Sequence, residues 1–543
     1  MSEMSHAFTP ASSTDVEIGR LLEIAGASAR ATLDARMLGI LGEQGPAQPG
    51  AIGSHLKLRV GGNWVIAQVR TLAREERDGD LILATLDFVG EGRLDGERLT
   101  GFARGVTHLP LPGCRLFPTS AADRAAIFAA DERPHIEFGQ IYPGNGERAA
   151  LYVDGLLGRH FAVLGSTGTG KSSATALLLH RICAQAPHGH ILMLDPHGEY
   201  AASFGEAGAV FDVSNLALPY WLMNLEEHAE VFVSARGPER QVDIDILAKA
   251  ILAARARNRA AEGIQRLTAD SPIPYLLSDL GNILSQEMGK LDKAGTGTGP
   301  YLRLKARIDE LKVDPRYTFM FSGMLVGDTM HAVLQRLLRL PGDGKPLAIV
   351  DLSAVPSEIT PVLVALIGRL VFDHALWSRG ADARPVLLVC EEAHRYIPAD
   401  AYSPARRILE RIAKEGRKYG VALGLVSQRP SDLAEGVLSQ CGTIIAMRLN
   451  NDKDQAHIRS AVPEGARGLI EAIPALRNRE AVVVGEGVAL PFRAVFDELD
   501  GDKLPASRDP SFVDGWREAP DEPARLTKTI LRWRAQGRFA TAE

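Results

Sequence analysis

A glycine-rich segment between a short apolar run and a helical pattern constrains this chain more than any other feature. The apolar residues 161–164 precede Gly-Ser-Thr-Gly-Thr-Gly-Lys-Ser at 165–172, which has the form G-x-x-x-x-G-K-S. Its glycines let the backbone turn with the N–H groups inward, where the N-terminus of the following helix adds positive potential. The segment predicts a phosphate-binding loop, and the alternative is an ordinary glycine-rich turn between strand and helix.

The same loop predicts which side chains hold a nucleoside triphosphate. Lys171 can reach the β- and γ-phosphates, and the hydroxyl of Ser172 can ligate Mg²⁺. ATP and Mg²⁺ are therefore the expected cofactors. The residues predicted to line the site are Gly165, Ser166, Thr167, Gly168, Thr169, Gly170, Lys171, Ser172 and Ser173.

Composition indicates a large globular protein but does not point to a partner. The 543 residues are 45% hydrophobic and include 61 basic and 67 acidic side chains, for a net charge of -6. A nucleic acid would have to be held by a local basic surface, because the overall charge does not attract one. The four cysteines form no C-x-x-C pair, which speaks against a zinc site or a disulfide framework and fits a reducing compartment.

No signal peptide or membrane-spanning segment is expected. The N-terminal residues lack a basic start followed by an apolar core. The most apolar stretch, 359–377, contains Pro361, Arg369 and Asp373, which predicts a buried helix of a globular domain. The expected location is the cytoplasm, with no membrane partner.

Short β-rich runs before the phosphate loop predict a small β-barrel. Residues 55–60 alternate between apolar and polar, 63–69 are strand-like, and 81–89 follow a charged turn. Gly61 and Gly62 between the first two runs fit a hairpin loop. We assign residues 1–145 to this domain, and the alternative is an irregular extension of the domain that follows.

After the loop, apolar runs that end in acidic or amide residues recur, as expected of buried parallel strands. They are 191–194 before Asp195, 347–350 before Asp351, 386–390 before Glu391 and 421–427 before Gln428. Polar residues at such strand ends converge on the edge where open α/β sheets bind ligands. A helical pattern over 216–340, interrupted by loop chemistry at 295–300, predicts a helical insertion. The fold class is α/β, with residues 146–500 as the nucleotide-binding core.

Two consecutive acids, Glu391 and Glu392, follow the strand predicted at 386–390. Beside a phosphate loop, Glu391 would support Mg²⁺ or its waters, whereas Glu392 would polarise the water that attacks the γ-phosphorus. The alternative is a solvated strand end. His394 is predicted to be a structural hydrogen-bonding residue, because a single histidine without metal partners is weak evidence for catalysis.

Two further strand ends carry candidate residues. Gln428 can sense the γ-phosphate or orient water without adding negative charge, or it can simply bond its own loop. In the cluster Asp-Pro-His-Gly-Glu-Tyr at 195–200, Glu199 can face the nucleotide and Asp195 can organise the loop. The alternative for the second cluster is a purely structural turn.

Together these motifs resemble those of the HerA-type ATPases, relatives of the FtsK-type DNA pumps. The resemblance covers roughly residues 15–500 and rests on segments 165–172, 195–200, 391–394, 415–420, 427–430 and 480–486. Glu391 stands where the family usually has aspartate. The resemblance implies an N-terminal barrel that helps ring assembly and a RecA-like core with a helical insertion.

The resemblance also implies an activity. In that family the core hydrolyses ATP between the subunits of a hexamer, and the motor translocates duplex DNA alongside a nuclease such as NurA. The implied protein is a P-loop ATP hydrolase of the translocase or helicase type. It would act as a homohexamer on double-stranded DNA, in DNA end processing or antiviral defence.

A run of cations at three- and four-residue spacing predicts a helix with one basic face, formed by Arg407, Arg411, Lys414 and Lys418. Such a face is ordinarily solvated. Arg417, at the end of this helix, matches the family pattern, which implies that it reaches the ATP of a neighbouring subunit as an arginine finger. The alternatives for Arg417 are a structural salt bridge and a DNA contact.

Two other functions fit the same residues. The ring could act mainly as an assembly scaffold that controls a defence effector, such as a sirtuin-like NAD-consuming enzyme or a nuclease. The chain could instead be a protein-secretion motor related to conjugation ATPases. ATP hydrolysis stimulated by DNA would favour translocation, whereas stimulation by an effector without DNA would favour the scaffold.

Residues 501–543 are predicted to form a C-terminal arm. Several prolines precede a helical pattern at 524–536, with Leu526, Ile530 and Leu531 on one side. This helix either braces an adjacent subunit or lies alone on the surface.

Overall fold

The computed structural model describes residues 16–43, 49–75, 79–95, 98–129, 133–142, 146–293, 297–322, 327–378, 380–463, 466–506, 512–517 and 523–534. The chain divides into two units. The first comprises Met1–Leu192, Gly342–Pro346 and Ile367–Asp500, and the second comprises Met193–Pro341, Leu347–Leu366 and Gly501–Glu543.

The strands are β1 (Gly19–Ala25), β2 (Ser28–Asp34), β3 (His55–Val60), β4 (Asn63–Arg74), β5 (Leu81–Asp95), β6 (Arg98–Arg104), β7 (Arg115–Pro118), β8 (His135–Tyr142), β9 (Arg148–Tyr152), β10 (Phe161–Leu164), β11 (Ile191–Asp195), β12 (Gly208–Phe211), β13 (Leu347–Asp351), β14 (Val386–Cys390), β15 (Val421–Ser427), β16 (Thr443–Met447), β17 (Glu480–Gly485) and β18 (Phe492–Phe496).

The helices are α1 (Ala35–Glu43), α2 (Ala121–Phe128), α3 (Val153–Leu157), α4 (Lys171–Gln185), α5 (Leu225–Phe232), α6 (Pro238–Arg255), α7 (Leu277–Lys293), α8 (Gly299–Val313), α9 (Thr318–Phe321), α10 (Met330–Leu337), α11 (Thr360–Trp377), α12 (Pro404–Glu415), α13 (Glu435–Leu438), α14 (Asp452–Ala461), α15 (Arg467–Ile470), α16 (Phe512–Arg517) and α17 (Pro523–Arg534).

The first seven strands form the predicted β-barrel, which is confirmed. Their order is β2-β1-β7-β3-β4-β5-β6, and β2 also pairs with β5, so six strands close on themselves while β6 lies outside the closure. Alternate residues such as Leu56, Leu58 and Val65 fill its interior. The predicted hairpin loop lies between β3 and β4, with Gly61 at φ +59° as a tight turn of this kind requires.

Strand pairing changes from the barrel to a second sheet before residue 145. The barrel strands end with β7 at Pro118, whereas β8 pairs with β9 and with β18. The eight residues of β8 therefore belong to the core sheet by hydrogen bonding, although the sequence-based boundary includes them in the barrel domain.

The core sheet of the first unit has the order β14-β15-β10-β16-β17-β18-β8-β9. β14, β15, β10 and β16 are parallel, and β17 begins an antiparallel extension. Leu164 at the end of β10 lies opposite Ser427 and Ala446, so the three neighbouring strands end at one edge. The buried strands predicted at 386–390 and 421–427 are both present, and the α/β fold class is confirmed.

The second unit contains the predicted helical insertion. β12 pairs in parallel with β13, whose other neighbour is β11, the strand in which the division between the units falls. Helices α5 to α10 occupy the stretch between β12 and β13, as predicted. Gly299 and Pro300 were expected in a loop but form the first turn of α8, where proline is tolerated because it lacks only an unpaired N–H. Residues 295 and 296 of that expected loop lie outside the described residues.

Among the described helices, α11 alone is long and apolar enough to cross a membrane by length and composition. Its mean hydropathy is 1.3, and 61% of this 18-residue helix is buried within the protein. Such burial is typical of a core helix, which is what the sequence predicts for this stretch.

Helix α12 ends earlier than the spacing of its cations predicts. Its first turn is capped by Ser403, whose side chain accepts a hydrogen bond from the Arg406 N–H at 3.1 Å, and Ile408 and Ile412 are buried. The helix stops at Glu415, and Gly416–Tyr419 forms a tighter 3-10 turn. The prediction that Lys418 lies on this helix is wrong, because the chain tightens and then reverses at Gly420 (φ +77°) to enter β15.

The C-terminal helix predicted at 524–536 corresponds to α17. Leu526 and Leu531 are exposed, with 65% and 60% of their surface accessible. Residues 535 and 536 lie outside the described part of the chain. The role of α17 as a brace stays a prediction.

Candidate nucleotide-binding site

The phosphate loop joins β10 to α4 at the edge of the core sheet. Gly168 and Gly170 adopt the left-handed backbone, at φ +76° and +95°. A Cβ on Gly165 would lie 2.8 Å from the Cβ of Met447 on the neighbouring strand. Only glycine fits these positions without strain or collision. The nine predicted contact residues, 165–173, occupy this loop and the first turn of α4.

Neighbouring strands hold the loop in shape. The Ser166 N–H donates to the Arg448 carbonyl at 2.9 Å, and the Arg479 N–H donates to the Thr169 carbonyl at 2.9 Å. The Thr169 hydroxyl donates to the Ser166 carbonyl at 2.8 Å within the loop itself. The loop is therefore preorganised, so the binding of an anion does not have to order it.

Lys171 lies beside both predicted acids at the end of β14. Its Nζ is 3.8 Å from Glu391 Oε1 and 3.9 Å from Glu392 Oε1. The three side chains are only 8%, 4% and 7% exposed. These distances allow attraction but are too long for hydrogen bonds. The structure thus brings Lys171, Glu391 and Glu392 together at one buried edge of the sheet.

Glu392 has an unusual backbone and an incompletely bonded side chain. Its φ of 49° and ψ of 46° are left-handed, which costs a residue with a side chain about 1–2 kcal/mol. Among the described residues, its buried Oε2 has no hydrogen-bond partner. A buried carboxylate oxygen without a hydrogen bond destabilises the folded protein unless a water or ligand donates one to it. The residues present therefore fit a nucleotide with its attacking water.

His394 is the neighbour of that oxygen. Its Nδ1 lies 3.2 Å from Glu392 Oε2, in an orientation that does not form a hydrogen bond, and 3.2 Å from the hydroxyl of Ser427. Burial lowers the pKa of His394, and the nearby Glu392 charge only partly opposes this. The imidazole, with its lowered pKa, lies beside Glu392. Sequence reasoning assigned His394 a structural role and missed this contact, for which the two-residue spacing was the only signal.

Gln428 reaches the phosphate loop directly. The Thr167 hydroxyl donates to Gln428 Oε1 at 2.5 Å, joining the end of β15 to the loop after β10. A polar cleft of about 370 Å³ opens beside this bond and is lined by Ser166, Arg429, Asp432 and Asn451 among others. Gln428 bonds the phosphate loop rather than its own loop, so any nucleotide that occupies the loop alters the surroundings of this amide.

Arg417 lies at the opposite edge of the sheet. It precedes the amino end of β15, whereas the phosphate loop follows the carboxyl end of the parallel strand β10. The seven residues of β15 span roughly 23 Å. The Arg417 side chain is exposed and forms no hydrogen bond or ion pair with another described residue. Arg417 therefore cannot reach the phosphate loop of its own chain.

His160, just before β10, marks the same amino edge. Burial is the main cause that lowers the pKa of His160, and the charge of Arg417 lowers it further. Its ring nitrogens lie 3.1 Å from the Ala413 carbonyl and 2.9 Å from the Leu423 N–H. This histidine fixes the turn that carries Arg417 against β15.

Asp195 and Glu199 belong to the second unit. Asp195 is fully buried and accepts hydrogen bonds from the N–H groups of His197, Gly198 and Tyr200 at 2.9–3.1 Å. Burial raises the pKa of Asp195 despite these bonds, and the nearby Asp351 adds to the rise. Asp195 thus organises its turn, while Glu199 is half-buried and accepts the Ala506 N–H through its carbonyl. The contacts of the phosphate loop that the preceding paragraphs describe lie within the first unit instead.

No group of three or more His, Cys, Asp or Glu side chains suited to a metal ion occurs in the described ranges. Mg²⁺ does not need one, because it is usually held by one or two protein groups together with phosphate oxygens and waters. Ser172 and Glu391 supply such groups at this edge.

Known proteins are similar to this chain over much of its length. The family model described as the central domain of helicase HerA matches residues 136–371. The DNA double-strand break repair helicase HerA of Pyrococcus furiosus is 29% identical over 398 residues, covering 66% of this chain and 68% of that one. The probable DNA double-strand break repair helicase HerA of Methanocaldococcus jannaschii is 28% identical over 425 residues, covering 71% and 80%.

By these matches the chain is similar to the HerA-type ATPases over about two thirds of its length. The resemblance inferred from its motifs is confirmed. Among solved structures, VirB4 of Thermoanaerobacter pseudethanolicus is similar in fold, with a TM-score of 0.50 and 13% identity over 68% of this chain and 98% of that one. At this identity the likeness concerns the P-loop fold alone.

Proposed function

We propose that this chain is a HerA-type ATPase, a ring-shaped motor that uses ATP and Mg²⁺ to move duplex DNA. The observation that carries the proposal is the convergence of Lys171, Glu391 and Glu392 at the carboxyl edge of a parallel sheet, beside a preorganised phosphate loop. The helicase relatives from Pyrococcus furiosus and Methanocaldococcus jannaschii are named for DNA double-strand break repair, which favours DNA as the substrate.

Each residue of the edge has a distinct role in this proposal. The loop N–H groups and Lys171 hold the β- and γ-phosphates, and Ser172 and Glu391 hold Mg²⁺ or its waters. Bound Mg²⁺ supplies positive charge to the phosphate oxygens. Glu392 accepts a proton from the attacking water, with its carboxylate positioned by a strained backbone and by His394. Gln428 orients water or senses the γ-phosphate once it exchanges its bond to Thr167.

Arg417 supports a site shared between subunits. Its own phosphate loop lies at the other edge of the sheet, so an exposed Arg417 without a partner among the described residues is suited to a neighbouring chain. In a homohexamer, the amino edge of one subunit would meet the carboxyl edge of the next. The planar guanidinium would then neutralise charge that develops on the γ-phosphoryl group. Glu199 of the second unit is a further candidate for contact with the nucleotide.

The barrel is proposed to help assemble the ring. A chain that begins at Arg133 omits the barrel strands but keeps β8, which the core sheet needs. It should lose hexamers in mass photometry while keeping the circular dichroism of an α/β core. Intact hexamers from this chain would instead assign assembly to the core or to residues 501–543.

We also propose an effector for the motor, either a NurA-like nuclease or a defence enzyme such as a sirtuin-like protein. The protein is purified together with the proteins that neighbouring genes encode, and native mass measurement of the complex identifies the effector. If ATP turnover responds to that effector and not to DNA, the ring is a regulatory scaffold rather than a translocase.

The direct test of the motor uses full-length protein with linear duplex DNA. Steady-state ATP turnover should rise on addition of DNA, and the protein should displace a third strand from a DNA triplex only while ATP is hydrolysed. The Lys171→Ala variant is the matched control, since it keeps the protein surfaces but removes the phosphate-binding charge. ATP turnover that does not change on addition of DNA, together with no ATP-dependent displacement of the third strand, would refute the translocase.

A further inference from the structure

Arg479 lies at the same sheet edge as the phosphate loop and has no role in the steps above. It immediately precedes β17, whose first residues pair with the carboxyl end of β16. Its N–H donates to the Thr169 carbonyl of the loop at 2.9 Å. A Cβ on Gly170 would lie 3.4 Å from Arg479 Cγ, so the aliphatic stem packs against the end of the loop. Arg479 is thus a direct neighbour of the nucleotide site.

The guanidinium of Arg479 is held in one place but not saturated. Its Nη2 donates to the Phe496 carbonyl at 2.8 Å, and its Nη1 bonds Glu498. Its Nε is buried without a hydrogen-bond partner in the described structure, while the side chain as a whole is 37% exposed. The group is therefore fixed at the end of β18 with one face open to solvent.

The strand order indicates which part of a nucleotide would meet this group. Glu391, Glu392 and Gln428 follow β14 and β15, on one side of β10, and they mark the γ-phosphate end. Arg479 reaches across β17 to β18, on the other side of β10. With strands about 4.8 Å apart, its guanidinium lies roughly 10–14 Å from β10 along the sheet edge. A triphosphate whose γ end faces the acids directs its nucleoside toward Arg479.

The backbone of Arg479 also distinguishes it from a structural arginine. Its φ of +67° is in the left-handed region, which glycine adopts freely and a residue with a side chain does not. The turn around it is already fixed by Arg448, which donates to the Leu476 carbonyl and, at 2.9 Å, to Asn478 Oδ1. A strained backbone at a residue beside a binding loop indicates a functional role for that residue.

We propose that Arg479 binds the nucleoside half of ATP, with its guanidinium plane against the purine base. The proposal rests on the nucleotide site assigned above and deepens it. A guanidinium is planar, always charged and weakly hydrated, and it stacks on aromatic rings. The bonds to Phe496 and Glu498 hold it in place from the side of β18, so little rotamer entropy is lost when the base arrives.

The test compares two ligands that differ in the nucleoside. Dissociation constants for ATP and for inorganic tripolyphosphate are measured by calorimetry in the presence of Mg²⁺, for the full-length protein and for Arg479→Gly, Arg479→Ala and Lys171→Ala. Both Arg479 variants should bind ATP on the order of tenfold more weakly and tripolyphosphate equally well. Lys171→Ala should weaken both ligands.

Thermal unfolding separates this role from a structural one. Arg479→Gly relieves the left-handed backbone and Arg479→Ala does not, so the glycine variant should have the higher Tm while the two lose the same affinity for ATP. Unchanged affinity for ATP in Arg479→Gly, or an equal loss for ATP and tripolyphosphate, would overturn the assignment. If Lys171→Ala leaves both affinities unchanged, the phosphate-loop assignment fails instead.

Discussion

Two buried contacts between a lysine and a carboxylate, one in the barrel and one at the phosphate loop, differ in how completely they are bonded. In the barrel domain, Lys57 Nζ lies 2.8 Å from Asp123 Oδ2, with both side chains at most 2% exposed. Asp123 also accepts the N–H groups of Ser120 and Leu99, and Lys57 lies over the ring of Trp64. At the loop, Lys171 stays 3.8 Å and 3.9 Å from its two acids.

The pKa of the barrel carboxylate reflects this saturation. Burial alone would raise the pKa of Asp123, but hydrogen bonds from Lys57 and Ser120, together with the Lys57 charge, outweigh it and lower the pKa. Glu392 at the loop has instead a buried oxygen with no hydrogen bond among the described residues. A saturated pair serves the fold, whereas an unsaturated one keeps capacity for a ligand.

The sharpest contrast comes from removing each lysine. Lys171→Ala should abolish ATP turnover, because the site loses the charge that holds the β- and γ-phosphates, and its Tm should change little. Lys57→Ala should leave turnover per folded molecule unchanged. Steady-state hydrolysis at saturating ATP and Mg²⁺ measures both. Near-normal turnover of Lys171→Ala, in protein shown free of contaminating ATPase, would erase the distinction between the two contacts.

The carboxylates offer the next largest effect. Glu392→Gln should slow hydrolysis by roughly 10² to 10⁴-fold while nucleotide binding persists, because the amide keeps the shape of the side chain and loses its capacity as a base. Asp123→Asn is the matched control in the barrel and should hydrolyse ATP normally. Calorimetric ATP binding and single-turnover rates measure these effects. A Glu392→Gln protein that fails to bind ATP would contradict this division of roles.

The free energy of unfolding, unlike ATP turnover, should depend on the pair in the barrel. Breaking the buried pair with Lys57→Met should lower the free energy of unfolding by about 3–5 kcal/mol, because Asp123 is left buried with an uncompensated charge. Replacing both partners by Met and Leu should recover most of that loss. Denaturant titration monitored by Trp fluorescence measures both changes. A single variant as stable as the parent would show that the pair is not structural.

The smallest expected effect concerns pH and the barrel. Burial, aided by the charge of Arg124, lowers the pKa of His55 from 6.5 to about 4. Because the folded-state pKa lies below the unfolded value, the stability is complete above pH 6.5 and falls as the pH drops toward 4. The loss in the free energy of unfolding should reach about 3 kcal/mol. His55→Gln should flatten this slope, and an unchanged slope would locate the acid sensitivity elsewhere.

The sequence predicts the nucleotide edge well because its signals are local. The glycine spacing of the loop and the apolar runs before Glu391 and Gln428 are each contained in about ten residues, and the structure places them at one edge. The hydrogen bond between Thr167 and Gln428 joins residues 261 positions apart, so no local pattern reveals it. Arg479 is hidden for the same reason, since only the antiparallel pairing of β16 with β17 brings it to the loop.

Other features depend on how the chain pairs rather than on its periodicity. The sequence-based boundary includes β8 in the barrel domain, and only its pairing with β18 assigns it to the core sheet. The bond between Lys57 and Asp123 joins residues 66 positions apart, one on a strand and one on a helix. The edge on which Arg417 lies follows from the parallel pairing of β10 and β15, because Arg417 precedes the amino end of β15.

The central claim is that the acids and lysine of one subunit are completed by Arg417 of the next. Arg417→Ala should form hexamers and bind ATP, yet lose turnover by roughly 10³ to 10⁵-fold. Lys418→Ala, which removes an exposed cation from the same turn, should keep normal turnover. This control separates a specific arginine from a general loss of charge.

The most direct measurement mixes Arg417→Ala subunits with Lys171→Ala subunits and follows ATP turnover after subunit exchange. Each variant is expected to be inactive alone, but some interfaces in mixed rings pair an intact phosphate loop with an intact Arg417. Partial turnover should return once native mass measurement shows mixed hexamers. Mixed hexamers without turnover, or normal turnover of Arg417→Ala rings alone, would contradict a site shared between subunits.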